Sequence, residues 1–233
     1  MSMASLDLSA ASRRAFDRMA ADCRRVFGGR FVGVVAYGSH EALVFAATVG
    51  AEDLEALGAL TETWHHDGLA TPLVMTPDEF VRTVDAFPLE YQAILDRHQL
   101  IAGVAPFDGV RIPPDELRRA CEIQARAHLI QLREGWLEAG GHDHELAELI
   151  ERSAAPLRAL LTNIGRLNGR QVDDAGALAS VAEELTGMPG NLVREVLTLE
   201  TDRRRSHALV PRLAEYLDAA ERLWVSIDRW RSR

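Results

Sequence analysis

The side chains able to do chemistry fall in a few short clusters. Gly38-Ser39-His40-Glu41 is the first. A glycine followed by a hydroxyl can offer backbone N–H groups and an Oγ to a phosphate. The same pair also suits a plain tight turn, the reading favoured on turn preferences. Glu41 is the acid nearest to that turn. His142-Asp143-His144-Glu145, with Glu148 one helical turn on, offers nitrogen and oxygen ligands of the kind zinc or nickel takes. That run follows Gly140-Gly141, however, where Asp143 reads as an ordinary helix N-cap. Structural zinc sites show two spaced ligand pairs, so no metal ligand is assigned. Arg126 and Arg133 are seven residues apart and share a helix face. They can face an anion, or Arg126 can pair with Glu122 four residues earlier. Arg203-Arg204-Arg205 is a short basic run with the pattern of a solvated loop.

Other side chains fit structural roles better. His65-His66 close a helical run, where imidazolium suits the dipole and a surface position is expected. His128 lies on an apolar stripe and is expected to be a hydrogen-bonded core histidine. Cys23 and Cys121 have no CxxC spacing and read as buried thiols. All 26 basic residues are arginine, so no lysine can form a Schiff base or serve a P-loop. No H-E-x-x-H pair or G-x-S-x-G elbow occurs.

Composition narrows the class. With 47% hydrophobic and 26% charged residues, the chain suits a soluble globular protein. A net charge of −9 argues against a nucleic-acid partner. The start, Met1 to Leu8, has no basic segment followed by an apolar one, and no apolar run is long enough to span a bilayer. The default expectation is a cytoplasmic protein without a membrane partner.

The elements that must position these residues can be read from periodicity. Residues 9–27 carry Ala15, Phe16, Met19, Ala20, Cys23, Val26 and Phe27 at helical spacing, between a Ser9 cap and Gly28-Gly29. Residues 31–37 and 42–49 are short, apolar and valine-rich, as buried strands are. The Gly38–Glu41 link is so short that the two should pair antiparallel. Helical spacing returns over 51–67, with Leu54, Leu57, Leu60 and Trp64. Residues 71–75 make a third strand, suited to an edge by Pro72. Thr76-Pro77-Asp78-Glu79 starts a helix with a capping box. Two short helices over 77–98, broken near Phe87-Pro88, and a last strand over 99–103 complete this part. Residues 104–114 read as a linker. Helices then follow over 114–139, 143–166, 174–186, 190–200 and 206–231, and Pro156 predicts a kink or split in the second. The expected fold is α+β: a small mixed sheet with flanking helices over residues 1–110, then an all-α bundle over 111–233.

The order helix, strand, Gly-Ser turn, strand, helix, strand, then bundle resembles the nucleotidyltransferase superfamily of DNA-polymerase-β type, over roughly residues 9–103. Val34-Val35-Ala36-Tyr37-Gly38-Ser39 carries the resemblance, with Thr71 to Phe80 looking like that family's third strand and following helix start. The resemblance implies that Gly38 and Ser39 contact nucleotide phosphates. It also implies an Asp-x-Asp pair on the next strand and a third acid on a later strand, holding Mg²⁺. This chain departs there. Ala42-Leu43-Val44-Phe45-Ala46-Ala47-Thr48 contains no acid, and Pro72, Leu73 and Val74 stand where the last acid is expected. The R-x4-H pattern of helical ribonucleases paired with minimal nucleotidyltransferases is missing too, since Asp202 precedes His207 by five.

Two Mg²⁺ ions need clustered carboxylates. The expectation is therefore a degenerate, catalytically inactive nucleotidyltransferase-like protein acting as a nucleotide- or partner-binding module, without cofactor. Gly38, Ser39, Arg126 and Arg133 are its candidate phosphate contacts, and Glu41 its residual acid. Two alternatives stand beside it: an active transferase using ATP, Mg²⁺ and non-standard carboxylates, and an oligomerising protein, a homodimer for instance, with a vestigial cleft. For the last, Trp224 and Trp230 offer either a dimer surface or core packing.

Overall fold

The computed structural model describes residues 6–170, 172 and 174–230. Met1–Ser5 and the last residue of the expected final helix, 231, lie outside them. The chain divides into two compact units, Met1–Ile112 and Pro113–Arg233.

In the first unit, α1 (Ala10–Phe27) begins where the Ser9 side chain accepts the Ser12 N–H. β1 (Phe31–Ala36) and β2 (Ala42–Ala46) pair antiparallel, with Val34 opposite Val44 and Val35 opposite Leu43. Then come α2 (Ala51–Gly58), α3 (Thr61–His66), β3 (Leu73–Met75), α4 (Pro77–Thr83), α5 (Pro88–Asp96) and β4 (Gln99–Gly103). The sheet order is β3-β2-β1-β4, with β3 parallel to β2 and β4 antiparallel to β1. The helical run expected over 51–67 is two helices, broken at Ala59-Leu60, and Leu54 is exposed rather than in the core. The capping box is present: Thr76 Oγ1 accepts the Glu79 N–H, and Glu79 Oε2 accepts the Thr76 N–H.

Strand alternation divides the apolar side chains between the two sheet faces. Val34, Ala36, Ala42, Val44 and Ala46 join Phe16, Met19, Cys23, Phe27 and Trp64 in one core. Trp64 Nε1–H donates to Asp22 Oδ2 at 3.1 Å, fastening α3 to α1. Arg30, just before β1, makes two 2.7 Å hydrogen bonds to the Asp53 carboxylate at the start of α2. Those bonds hold that carboxyl down at about 2.

The β1–β4 contact rests on two glycines. A Cβ on Gly33 would stand 2.2 Å from the Val104 carbonyl oxygen, and Gly103, at φ 75°, lies over the Val32 carbonyl. Backbone blocks the space on both sides, so an added methyl must push the strands apart. Gly33→Ala is expected to destabilise the protein by about 2 kcal/mol, read from the shift of a urea-unfolding midpoint.

The second unit is helical: α6 (Pro114–Ala139), α7 (Asp143–Leu167), α8 (Ala175–Thr186), α9 (Gly190–Thr198), α10 (Ser206–Leu209) and α11 (Leu213–Asp228). α6 ends on Gly140 in the left-handed conformation, φ 55°, as helix C-termini favour. The loop to α7 spans only Gly140–His142, so the two contacting helices form a hairpin. α7 contacts α6, α8, α9 and α10 and buries Leu146, Leu149, Ile150, Leu157, Leu160, Leu161 and Ile164. It runs through Pro156 as one helix, so of the kink or split expected there the split does not occur. The long helix expected over 206–231 is instead interrupted by a 3₁₀ turn at Val210–Arg212, because Pro211 cannot donate the N–H a continuous helix requires. Among the described residues no helix is long and apolar enough to cross a membrane.

Candidate functional site

The link from β1 to β2 is a bend closed by a 3.1 Å hydrogen bond from the Tyr37 N–H to the Glu41 carbonyl. The Ala70 N–H donates to the His40 carbonyl at 2.8 Å and ties the bend to the segment before β3. Ser39 is exposed, with its Oγ 2.9 Å from His40 Nδ1. Gly38 has no positive φ, and a Cβ there would meet Glu41 Oε2, the end of a flexible side chain that can swing aside, so neither conformation nor space demands glycine. That same carboxylate oxygen accepts the His40 N–H at 3.2 Å. The bend therefore holds its own anion beside Gly38. A phosphate arriving there would meet like charge. Tyr37 registers the same field: burial first, then the Glu41 charge, push its phenol up.

The second face of the sheet is closed by aromatic rings. Val35, Leu43 and Phe45 point away from α1, and all three are fully buried. Phe45 meets Phe80 of α4 edge to face at 5.6 Å between centroids, and Phe107 at 5.9 Å. Phe80 in turn packs on Tyr91 of α5 at 4.7 Å and on Phe107 at 4.9 Å. His98 stands edge to face on Phe107 at 4.8 Å. Residues 104–113 contain no helix or strand, but Phe107 and Ile112 pack inward, so most of the expected linker belongs to the first unit. Positions 43 and 45, two apart on one strand, could present paired side chains to a common site. Here they present Leu and Phe to an aromatic cluster. Among the described residues no three His, Cys, Asp or Glu side chains gather as a metal-ligand set.

In the second unit, Arg126 lies over the Trp224 ring, 5.4 Å from its centroid, and Arg133 pairs with Glu221 of α11 at 3.0 Å. Glu122 pairs with Arg118 at 3.1 Å, not with Arg126 as the spacing allowed. Both partners are four residues from Glu122, and the stacking on Trp224 draws Arg126 the other way. Trp224 is half-buried, and Trp230 borders a hollow of about 200 Å³ beside Ile227. His142, not Asp143, is the N-cap of α7. Its Nδ1–H donates to the Ala139 carbonyl at 2.9 Å, whereas His144 pairs with Glu148 at 3.3 Å and stacks on His207. Arg203 reaches Glu151 and Arg205 reaches Asp202, each at 3.0 Å, so acids neighbour the basic run.

His128 is a buried, hydrogen-bonded histidine. Its Nε2 lies 2.9 Å from the Tyr216 hydroxyl, which lies 3.0 Å from Ser153 Oγ, and Ser153 donates to the Ile150 carbonyl at 2.7 Å. One proton assignment satisfies the whole chain: Tyr216 donates to Ser153, and Nε2–H of the neutral imidazole donates to Tyr216. Burial drives the His128 pKa down to about 4 and pushes the Tyr216 phenol up. His128 and Ser153 border a cleft of about 300 Å³ between α6 and α7, shared with Glu134, Glu138 and Arg152. Pro156 opens on the same cleft and can give no N–H to the Arg152 carbonyl four residues back. Sequence reasoning placed His128 in the core but could not find its partners, which lie 88 residues away (Tyr216) and, through Tyr216, at Ser153.

Comparison with family models, curated proteins and solved structures finds no match for this chain.

Proposed function

We propose that the first unit is a noncatalytic domain of nucleotidyltransferase type, and that the protein works by binding a partner rather than by turning over nucleotide. The observation that carries this reading is the second face of β2, where Leu43 and Phe45 lie buried beneath Phe80 and Phe107. The element order and the mixed four-stranded sheet support the family resemblance. Nucleotidyl transfer through two metal ions needs clustered carboxylates, such as alternate positions of one strand can present, and an aromatic cluster fills that place at positions 43 and 45. The Glu41 carboxylate beside Gly38 favours a protein partner over a nucleotide, because it already takes the N–H of His40 and repels a phosphate.

A transfer assay with labelled nucleoside triphosphates and Mg²⁺ or Mn²⁺, run beside a calorimetric titration with ATP, tests this. The expected result is no labelled product and no binding heat, unchanged in Ser39→Ala and Glu41→Ala. Transfer abolished by Glu41→Ala would establish the active alternative. Saturable ATP binding without transfer would instead make the bend a nucleotide sensor.

A further inference from the structure

α6 carries two apolar faces, and only one of them is used within the unit. Cys121, Ala125, His128, Leu129 and Leu132 face the bundle and are buried. On the other side, Ile123, Ile130 and Leu137 repeat every seven residues and are 63%, 44% and 82% exposed. Ala120, Ala127 and Glu134 fill the heptad positions between them. The stripe therefore has the a/d spacing of a coiled-coil seam and runs about 21 Å along the helix at 1.5 Å per residue. A soluble helix needs no second apolar stripe of this regularity unless something covers it.

We propose that a second copy of this chain covers it, through parallel, in-register packing of α6 on α6 about a twofold axis. The charges flanking the stripe choose this occupant and orientation. Taking Ile123, Ile130 and Leu137 as d, the g positions are Arg119, Arg126 and Arg133, and the e positions are Gln124, Gln131 and Glu138. In a parallel pair each g side chain meets the e side chain five residues further along the partner. Arg126, which lies over Trp224, then faces Gln131, and Arg133, which also pairs with Glu221, faces Glu138, so donors oppose acceptors along both edges of the seam. An antiparallel pair would set arginine beside arginine. Ile123, Ile130 and Leu137 each meet their own copy, and alanine at two a positions lets the helices approach closely. Glu134 is the exception. It has no ion-pair partner among the described residues and meets its own copy across the axis, a polar a position that weakens the dimer while holding its register. The inference is independent of the nucleotidyltransferase reading, since it uses only the second unit.

Sedimentation velocity of the full chain over a range of concentrations is the primary test. The expected result is a reversible monomer–dimer equilibrium. Ile130→Arg should weaken it at least about tenfold, as loss of a central seam contact does. Glu134→Leu should tighten it, an effect that damage to folding would not produce. Orientation is read from single cysteines under mild oxidation, against a quiet background because burial holds Cys23 and Cys121 at about 12. Ile123→Cys alone and Leu137→Cys alone should each form disulfide-linked dimers. A monomer at every concentration would overturn the proposal. So would a dimer indifferent to Ile130→Arg, or cross-links that form only when the two cysteine variants are mixed. A different protein bound at the stripe of a monomeric chain would count against it in the same way.

Discussion

Phe45→Asp is expected to unfold the first unit. Phe45 has no solvent exposure, and its ring is held edge to face by Phe80 and Phe107. Removing a buried phenylalanine costs about 3–5 kcal/mol in lost transfer energy and cavity. The new carboxylate adds a further penalty, because it would lose its water among the Phe80 and Phe107 rings. The sum rivals the whole stability of a typical domain, about 5–15 kcal/mol. Urea unfolding followed by circular dichroism should show the first unit already lost in buffer, while Phe45→Leu should cost only about 1 kcal/mol. If Phe45→Asp cost less than about 2 kcal/mol, the second face would be loosely packed, and the argument against a carboxylate site there would fall. Placing acids at positions 43 and 45 would require Phe80 and Phe107 to change with them.

Acidification is expected to destabilise the second unit between about pH 6.5 and pH 4 through His128. The ordinary histidine value is about 6.5, and burial lowers it to about 4 in the folded protein. The sign follows from proton counts. Between these values the unfolded chain binds a proton that the folded chain refuses, so stability rises with pH. The contribution is fully present above the unfolded value and is lost as pH falls towards the folded one. Over that window it amounts to about 3 kcal/mol, from 1.36 kcal/mol per unit. Glu134, Glu138 and Arg152 border the same cleft, and Tyr216 bonds the ring directly. The carboxylates would stabilise an imidazolium, so protonation should also reorganise the cleft rather than pass silently. Chemical unfolding at several pH values, comparing the native chain with His128→Gln, isolates the term. The variant should lose the slope in this window and keep the remaining pH dependence. An unchanged slope in the variant would assign the effect to the carboxylates.

Much of the fold was legible because local rules and packing agree. Ser9, Thr76-Pro77-Asp78-Glu79 and Gly140 act as caps or stops in the structure as the sequence indicates. The short Gly38–Glu41 link leaves β1 and β2 no arrangement but an antiparallel pair. Breaks inside helical stretches were harder to read. α2 ends on Gly58, a local breaker that the continuous helical spacing of 51–67 masked. Pro211 breaks its helix, whereas Pro156 does not break α7, whose apolar residues are buried in the bundle. The same residue type had opposite outcomes although buried apolar residues flank both prolines, Leu209 and Leu213 at one, Ala154 and Leu157 at the other.

The sequence by itself determined that β2 carries no acid and that Gly38 is followed by a hydroxyl and, three residues on, by a carboxylate. It also set the heptad spacing of Ile123, Ile130 and Leu137, since spacing is a property of the chain alone. Only the tertiary structure decided what those features mean. It brought Phe80, Tyr91, His98 and Phe107 onto the face of Phe45, turned the Glu41 carboxylate back over Gly38, and joined His128 to Tyr216 and Ser153. It also left the Ile123–Leu137 stripe exposed while the opposite face of α6 was buried. One physical reason covers the aromatic cluster and the His128–Tyr216–Ser153 chain. Each depends on which groups share a desolvated space, and residues far apart in sequence enter that space only when the whole chain packs.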